Sequence, residues 1–298
     1  MAPISDLSEV LLPRFVLRDV RGADKLGRQY NEHVNSRELR AYVKHGQQLV
    51  KGWLFPGAAE AIIRLSEEQR REGVPGGVAE IGVHHGKLFI LLYLLGENGE
   101  AAVAVDLFSH QELNIDHSGE GDLERFKRNL KRHADTNRLV VHEGDSTQLS
   151  AAQLRELGRG PLRLISIDGG HTAEITAHDL ATAEGALAEG GIVILDDCFK
   201  EMWPGVIDGV HRHFATPRSI VPFGIGSNKT FFCHPEFALR YADALRGLEV
   251  NSVEQEFLGH PVVSFEYAPR TLGAWYRKVD AWRAVRQAYH KLLSKATR

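Results

Sequence analysis

Residues 78–86 read Val-Ala-Glu-Ile-Gly-Val-His-His-Gly, a β-branched run that leads into a turn with two glycines. An apolar helical pattern follows at once over residues 86–96. Strand, glycine turn and helix in this order are typical of the first unit of a doubly wound α/β sheet, where glycines let a ligand approach the backbone. A dinucleotide-binding turn normally has three glycines, so an ordinary turn with chance glycines is the alternative interpretation.

The chain downstream repeats this unit. Short β-branched runs alternate with helical patterns from residue 76 to residue 235, which predicts parallel βαβ units with right-handed crossovers. The predicted strands are 78–82, 101–106, 138–142, 162–168 and 191–196, and the predicted helices are 86–96, 121–133, 150–157, 173–188 and 205–214. Two further runs, at 219–223 and 229–233, predict an antiparallel hairpin at one sheet edge.

These patterns predict an α/β fold with a doubly wound, mostly parallel seven-stranded sheet, an antiparallel edge hairpin and helical additions at both ends. We expect residues 1–75 to form a helical cap or lid, residues 76–235 the catalytic domain, and residues 236–298 a C-terminal extension. In that extension, apolar residues from Trp275 to Leu292 recur at helical spacing opposite basic residues. This predicts an amphipathic basic helix that docks on the core or on a second subunit, with an anionic membrane or polymer as the alternative partner.

Composition limits the classes of protein to which this chain can belong. Its 298 residues carry a formal net charge of −3, which gives no overall attraction to nucleic acid. The longest apolar run, Leu88 to Leu95, is far shorter than the roughly 20 residues of a membrane span, and the N-terminus lacks the basic-then-apolar pattern of a secretory signal. Two cysteines cannot form a disulfide framework. We therefore expect a cytoplasmic protein with no membrane span and no nucleic-acid partner.

Nearly every predicted strand ends in or runs into an acidic residue, and ligands of open parallel sheets bind beyond these strand ends. Asp106 closes the second strand at a position where an acid accepts hydrogen bonds from ribose hydroxyls. Asp145 and Ser146 follow the third strand, where a side chain can reach an exocyclic amine of a base. Glu80, beside the glycine turn, would repel the pyrophosphate of a dinucleotide. This residue favours instead a ligand with a cationic group, such as a sulfonium or an amine.

Further acidic residues accumulate after the fourth and fifth strands. Asp168 ends the fourth strand, and Asp196 with Asp197 ends the fifth, so the three carboxylates should meet at one edge of the sheet. Their mutual repulsion predicts a hard divalent cation, and oxygen ligands favour Mg²⁺ or Mn²⁺ over zinc. His171 lies on the loop just beyond Asp168 and is a candidate general base. Helix capping by these residues is the alternative interpretation.

Two further features border the predicted site. The polar loop 108–119 after the second strand is expected either to cover the ligand or to be a solvated connection. Lys200 and Trp203 follow the Asp pair. We expect Lys200 to border the acceptor and Trp203 to have mainly a packing role.

The order of these motifs resembles class I S-adenosylmethionine-dependent methyltransferases. The motifs are Glu-x-Gly-x-x-x-Gly at 80–86, the acid at 106, Asp-Ser at 145–146, Ile-Asp-Gly-Gly-His at 167–171 and Leu-Asp-Asp at 195–197. Within that class they are most similar to the macrocin O-methyltransferase-like group, whose metal-dependent members methylate sugar hydroxyls of natural products and polysaccharides. The resemblance covers about residues 76–235 and leaves out both ends, which usually shape the acceptor pocket.

The resemblance implies S-adenosylmethionine and Mg²⁺ (or Mn²⁺) as cofactors, and a small-molecule hydroxyl acceptor such as a sugar or natural product. We expect a homodimer or larger homo-oligomer. The implied cofactor contacts are Glu80, Gly82 and Gly86 around the methionine moiety, Asp106 at the ribose, and Asp145 with Ser146 at the adenine. The implied metal ligands are Asp168, Asp196 and Asp197, and the implied catalytic residues are Asp168 and His171, the latter as general base.

Three other functions compete with this interpretation. An NAD(P)-dependent oxidoreductase uses a similar sheet, but the third glycine is missing and the carboxylates after the last two parallel strands would have no role. A non-catalytic nucleoside-binding module would need neither a base nor a metal site. A cephalosporin-hydroxylase-like relative is a variant within the resemblance itself.

Overall fold

A computed structural model describes residues 37–248 and 251–266 of the chain. Eight α-helices occur in these residues: α1 Arg37–Lys44, α2 Pro56–Arg71, α3 Lys87–Leu95, α4 Leu123–Lys131, α5 Ala151–Leu157, α6 Ala173–Ala186, α7 Pro204–His213 and α8 Pro235–Arg246. The strands are β1 Gly77–Ile81, β2 Ala102–Asp106, β3 Leu139–Glu143, β4 Leu162–Ile167, β5 Leu187–Asp196, β6 Val221–Gly226, β7 Lys229–Cys233, β8 Asn251–Phe257 and β9 His260–Glu266. None of the helices in this part of the chain has the length and apolarity needed to cross a bilayer.

The strands form one sheet in the order β3-β2-β1-β4-β5-β7-β6-β9-β8. Neighbours from β3 through β5 are parallel, as the alternation of strands and helices predicts. The chain passes outward from β1 to β3, then returns to β4 beside β1 and passes outward in the other direction. The topology therefore switches between β1 and β4, the place where doubly wound sheets bind their ligands. The predicted fold class is confirmed.

Two details of the predicted sheet are wrong. The sheet has nine strands in the described residues, not seven, and the hairpin of β6 and β7 is not at its edge. β9 lies parallel to β6, and β8 pairs antiparallel with β9. The edge strand β8 is almost entirely exposed and reads Asn-Ser-Val-Glu-Gln-Glu-Phe. A strand with neither face buried has no apolar alternation, so its sequence gives no strand signal.

Helices cover both faces of the sheet and form two cores. On one face, Ile62 of α2, Phe89 of α3 and Tyr241 of α8 are fully buried in one cluster. On the other face, α5, α6 and α7 pack against alternate residues of the same strands. Strands buried on both faces appear as continuous apolar runs, which explains why their positions could be predicted to within a few residues.

The helix α8 and strand β9 share the first core with α2, so the start of the C-terminal segment packs against the sheet. The predicted division at residues 75 and 235 stays a prediction. The predicted amphipathic helix of residues 275–292 lies outside the described residues, as do residues 1–36.

Candidate active site

A cavity of about 630 Å³ opens at the carboxyl ends of the parallel strands, where the topology switches. Its wall comes from the turns after β1 to β5, together with residues near 51–55 and 111–121. The volume is in the range of small-molecule sites. Every site residue predicted from the sequence lines this cavity except Gly86.

The turn after β1 requires its two glycines. Gly82 has φ +87°, and a Cβ atom there would lie 1.9 Å from the backbone oxygen of Asp168. Gly86 also has φ +87°, and its Cβ would lie 2.5 Å from the ring of Phe126. Gly82 therefore lets the ends of β1 and β4 meet, whereas Gly86 lets α4 pack beneath the turn.

Glu80 brings a carboxyl group into this cavity from the middle of β1. Its side chain is only 2% exposed, and its Oε2 atom has no hydrogen-bond partner among the described residues. Burial, together with the nearby Asp168 carboxylate, raises the pKa of Glu80 well above its usual range. A buried carboxyl oxygen without a partner is costly, and its position on the cavity wall indicates a ligand group that donates to it or carries positive charge.

Asp106, at the end of β2, is fixed by its own surroundings. One carboxylate oxygen accepts a hydrogen bond from the backbone N–H of His84 (2.7 Å), and the other accepts from Phe108 (2.8 Å). Burial nevertheless raises the pKa of Asp106. Since each carboxylate oxygen accepts more than one hydrogen bond, both can still accept from ligand hydroxyls.

Asp145 and Ser146 form the floor of the cavity after β3. Asp145 accepts a hydrogen bond from the backbone N–H of Thr147 (2.9 Å) and so begins a short 3₁₀ turn. The Ser146 hydroxyl donates to Asp179 Oδ2 of α6 at 3.2 Å. Asp179 is itself fully buried, so this bond fixes the turn to the helix behind it.

Asp168, His171 and Asp197 meet on the opposite side of the cavity. One ligand atom of each lies within 4.8 Å of the others, a spacing that a single metal ion can bridge. The ring of His171 places Nε2 3.3 Å from Asp197 Oδ2. Its position is set by α6, which begins at the next residues because the Thr172 hydroxyl accepts a hydrogen bond from the backbone N–H of Ile175.

The charged groups of this cluster lie close together, so each one shifts the pKa of its neighbours. Burial and the neighbouring Asp196 raise the pKa of Asp168. Burial alone would lower the pKa of His171, but its hydrogen bonds to two carboxylates raise it to about 9. Burial alone would raise the pKa of Asp197, but His171 and two other donors lower it to about 2. His171 and Asp197 therefore form an ion pair at neutral pH in this arrangement.

Asp196 has a different partner from the one we expected. Lys229 lies directly opposite it in the antiparallel pair of β5 and β7, and Lys229 Nζ is 2.5 Å from Asp196 Oδ2. Asn228 donates to Asp196 Oδ1 at 2.6 Å and to Asp197 Oδ1 at 2.5 Å. The carboxylates of the strand ends are thus partly neutralised by a buried lysine. The metal role predicted for Asp196 stays a prediction.

Two residues hold His171 in place, and the sequence analysis predicts this role for neither of them. Asp116 Oδ2 is 2.8 Å from His171 Nδ1, and the indole of Trp203 stacks on the imidazole with 4.2 Å between ring centroids. Asp116 belongs to the polar loop whose two interpretations were a cover and a solvated connection. The structure places this loop on the cavity wall. The stacking on Trp203 goes beyond the packing role that we expected.

The mouth of the cavity is apolar. Five large hydrophobic side chains that line it are at least 48% exposed: Trp53, Phe55, Leu113, Ile115 and Met202. Exposed apolar groups around a polar floor are typical of a site for a ligand with an apolar part.

Comparison with known proteins bears on the same part of the chain. No curated protein matches the sequence. Among solved structures, CalS11, described as a TDP-rhamnose 3'-O-methyltransferase of calicheamicin biosynthesis, is 18% identical, with a TM-score of 0.47 over 74% of this chain and 97% of its own. The O-methyltransferase NovP is 17% identical, with a TM-score of 0.48 over 71% and 98%. An O-methyltransferase from Bacillus cereus in complex with SAH is 16% identical, with a TM-score of 0.44 over 66% and 90%.

The family comparison is more direct. Residues 79–198 match the model of Methyltransf_24, described as a methyltransferase domain. The matched segment begins in β1, ends just after Asp197 and includes every site residue predicted from the sequence. The match confirms the resemblance to class I methyltransferases that the motifs indicate, and it places that resemblance in residues 79–198 of this chain.

Proposed function

We propose that the protein transfers the methyl group of S-adenosylmethionine to a hydroxyl of a small molecule or sugar moiety, with a divalent cation and a histidine base. The observation that carries this proposal is the meeting of two different groups in one cavity. One wall presents Glu80 and Asp106, which suit a cationic nucleoside, and the other presents Asp168, His171 and Asp197. A methyltransferase needs both, one for the donor and one for the acceptor.

The cofactor contacts follow from the positions of the acids. Asp106, held by backbone amides, would accept hydrogen bonds from the ribose hydroxyls, and Asp145 with Ser146 would contact the adenine. Glu80 would face the methionine moiety, where its unpartnered oxygen finds positive charge. Gly82 would let that moiety lie against the backbone of the turn.

The residues also fit a divalent cation. Asp168 and Asp197 supply carboxylate oxygens within 4.8 Å of each other, the donor type that Mg²⁺ and Mn²⁺ prefer. Asp196 is adjacent and would join them only by giving up part of its contact with Lys229. When bound, the cation would supply positive charge that acidifies and orients the acceptor hydroxyl, and S-adenosylmethionine would supply an activated methyl group.

His171 is the residue that would receive the proton lost by the acceptor hydroxyl, at Nε2. The acceptor oxygen would gain a bond to the methyl carbon as the bond from that carbon to sulfur breaks, so S-adenosylhomocysteine would leave with a neutral sulfur. His171 is protonated at neutral pH as long as Asp197 accepts from Nε2. Proton transfer to Nε2 therefore requires Asp197 to be engaged elsewhere, as it is when it binds a cation.

The acceptor would enter through the apolar mouth. Trp53, Phe55 and Met202 line the cavity and are more than half exposed, so the hydroxyl that reaches His171 would belong to a molecule with an apolar or aromatic part. A glycoside or a hydroxylated natural product has this combination. Cytoplasmic location and assembly into a homodimer or larger homo-oligomer stay predictions.

An oxidoreductase is the less favoured function. The matched family is that of methyltransferases, and Glu80 carries a buried carboxyl where a dinucleotide would place its phosphates. Isothermal calorimetry separates the two directly. We expect S-adenosylhomocysteine to bind and NAD⁺ not to bind, each with and without Mg²⁺. Tight binding of NAD⁺ in the absence of any binding of S-adenosylhomocysteine would overturn the proposal.

The metal role is tested by Asp197→Asn. We expect methyl transfer from labelled S-adenosylmethionine, measured on a panel of aryl glycosides and nucleotide-activated sugars, to fall about 100-fold because several kcal/mol of electrostatic stabilisation is lost. Binding of S-adenosylhomocysteine should stay within about twofold of the wild-type value, a change of less than ~0.5 kcal/mol. Asp208→Asn is the matched control, because Asp208 is exposed on α7 and contacts only Arg212 among the described side chains. Unchanged transfer in Asp197→Asn would rule out the metal role.

A further inference from the structure

Asp116 makes an unusual double contact with His171. A single carboxylate oxygen, Oδ2, lies 2.7 Å from the backbone nitrogen of His171 and 2.8 Å from its ring Nδ1. The other oxygen, Oδ1, accepts a hydrogen bond from the backbone N–H of Ser118 at 3.0 Å. Both side chains are nearly buried, with exposed fractions of 11% for Asp116 and 8% for His171. The carboxylate is therefore fixed from its own loop and fixes the histidine in two places.

This contact determines which ring nitrogen carries the permanent proton. A carboxylate only accepts hydrogen bonds, so Nδ1 must be the donor toward Asp116. The other ring nitrogen, Nε2, lies 3.3 Å from Asp197 Oδ2. Stacking on Trp203 blocks rotation of the ring out of this orientation. Without the contact at Nδ1, the Asp197 carboxylate would favour the opposite neutral form, with the proton on Nε2.

The same contact joins two parts of the cavity wall. The segment 107–121 runs along the wall as irregular chain with one 3₁₀ turn at Gln111–Leu113. Its internal bonds come mainly from Asn114, and its start is fixed where Ser109 donates its backbone N–H to Glu143. Among the described residues, Asp116 makes the hydrogen bonds that tie this segment to the His171 loop.

We propose that Asp116 is a positioning residue, whose carboxylate keeps the His171 ring protonated at Nδ1 with Nε2 directed into the cavity and fastens segment 107–121 beside it. This inference rests on the proposed role of His171 as the base. Asp116 touches neither donor nor acceptor, and its effect on the reaction passes through His171. The position of segment 107–121 in the cavity wall and the orientation of His171 then both depend on the side chain of Asp116.

The first test observes the histidine without requiring a reaction. Nitrogen–proton correlation spectra of the imidazole groups should show a His171 Nδ1 proton in slow exchange with water, identified by its absence in His171→Gln. We expect this signal in the wild-type protein and in Glu112→Gln, and its loss in Asp116→Ala. Glu112 is the matched control, because it lies on the same segment but its side chain is 68% exposed and contacts only His110 among the described residues. A His171 Nδ1 proton that exchanges equally in wild type and Asp116→Ala would overturn the proposal.

The second test uses methyl transfer to an aryl glycoside from the acceptor panel. We expect Asp116→Ala to lower kcat about 100-fold while the acceptor KM and the affinity for S-adenosylhomocysteine stay within about threefold, since general-base catalysis typically contributes this much. Asp116→Asn, which keeps an acceptor for the backbone N–H of His171, should lie between Asp116→Ala and wild type.

The two proposals can fail separately. If His171→Gln retains full transfer, the base assignment is wrong. If His171→Gln loses transfer but Asp116→Ala keeps the wild-type kcat, the base stands and the positioning role of Asp116 is refuted.

Discussion

The two sides of the cavity hold their acidic residues in different ways. On the side of β1 to β3, Asp106 and Asp145 accept hydrogen bonds from backbone amides of the turns that follow these strands. Glu80, beside them, keeps one oxygen without a partner. The hydrogen-bond donors to Asp106 and Asp145 are backbone groups, which cannot swing away as side chains can. This is the side that we propose binds the methyl donor.

On the side of β4, β5 and β7 the partners are charged or amide side chains from distant parts of the chain. Asp196 pairs with Lys229 of β7, and Asp197 contacts His171, Asn228 and Lys200. Such partners can be exchanged for a ligand, because each is a side chain with other positions open to it. The comparison indicates that one wall of the cavity holds its acids with backbone groups that stay in place. The other wall holds them with side chains whose charges can be rearranged.

The sharpest test of this difference is Lys229→Met. Lys229 is 3% exposed, and its removal leaves the buried Asp196 carboxylate without its ammonium partner. Loss of one partner of a buried ion pair typically costs about 3–5 kcal/mol, so we expect a decrease of that size in the free energy of unfolding by urea. The double variant Lys229→Met/Asp196→Asn should recover part of it. If the single variant were as stable as the wild-type protein, the ion pair of Lys229 and Asp196 would not be what stabilises this side of the cavity.

On the donor side, the largest effect is expected from Gly82→Ala. Its Cβ would meet the backbone oxygen of Asp168 at 1.9 Å, and backbone cannot move away as a side chain can. Steric overlap and the left-handed conformation together should cost about 3 kcal/mol and weaken the binding of S-adenosylhomocysteine. Gly99→Ala is the control: its φ of +91° is similar, but no atom lies within 4 Å of its Cβ. Equal unfolding free energies for the two variants would contradict the close meeting of β1 and β4.

The smallest effect is expected for Glu80→Gln. The amide keeps the shape of the side chain but removes the carboxyl group that we propose faces the methionine moiety. We expect the calorimetric affinity for S-adenosylmethionine to fall about tenfold, or ~1.4 kcal/mol. Glu112→Gln should leave that affinity unchanged. If Glu80→Gln bound S-adenosylmethionine more tightly than the wild-type protein, Glu80 would not face a positively charged part of the ligand. The proposed difference between the two sides of the cavity would then be wrong.

Much of the donor side could be predicted from the sequence. The carboxyl ends of parallel strands share one edge, so an acid at the end of a recognisable strand must lie near the others. The glycine turn, Asp106 and Asp145 all lie at the ends of recognisable strands, and all of these residues except Gly86 line the cavity. Local sequence suffices there because each contact is made within or next to one turn.

The partners on the other side could not be predicted. Lys229 faces Asp196 only because of the register of an antiparallel pair, and one residue of shift would turn it to the opposite face. Asp116 reaches His171 across 55 residues of sequence, along a path set by an irregular segment. The strand β8 could not be predicted because an exposed edge strand has no apolar alternation.

The pairing of β6 with β9 has a practical consequence for the design of truncated forms of this protein. The hairpin that carries Asn228 and Lys229 lies inside the sheet, because its strand β6 is hydrogen-bonded on the other side to the strand His260–Glu266. Cutting the chain at residue 198 would leave the edge of β5, which ends at Asp196, without its partner strand β7. Cutting it after β7 would expose the backbone amides and carbonyls of β6, with only β7 between them and β5. The smallest portion worth expressing therefore extends to residue 266.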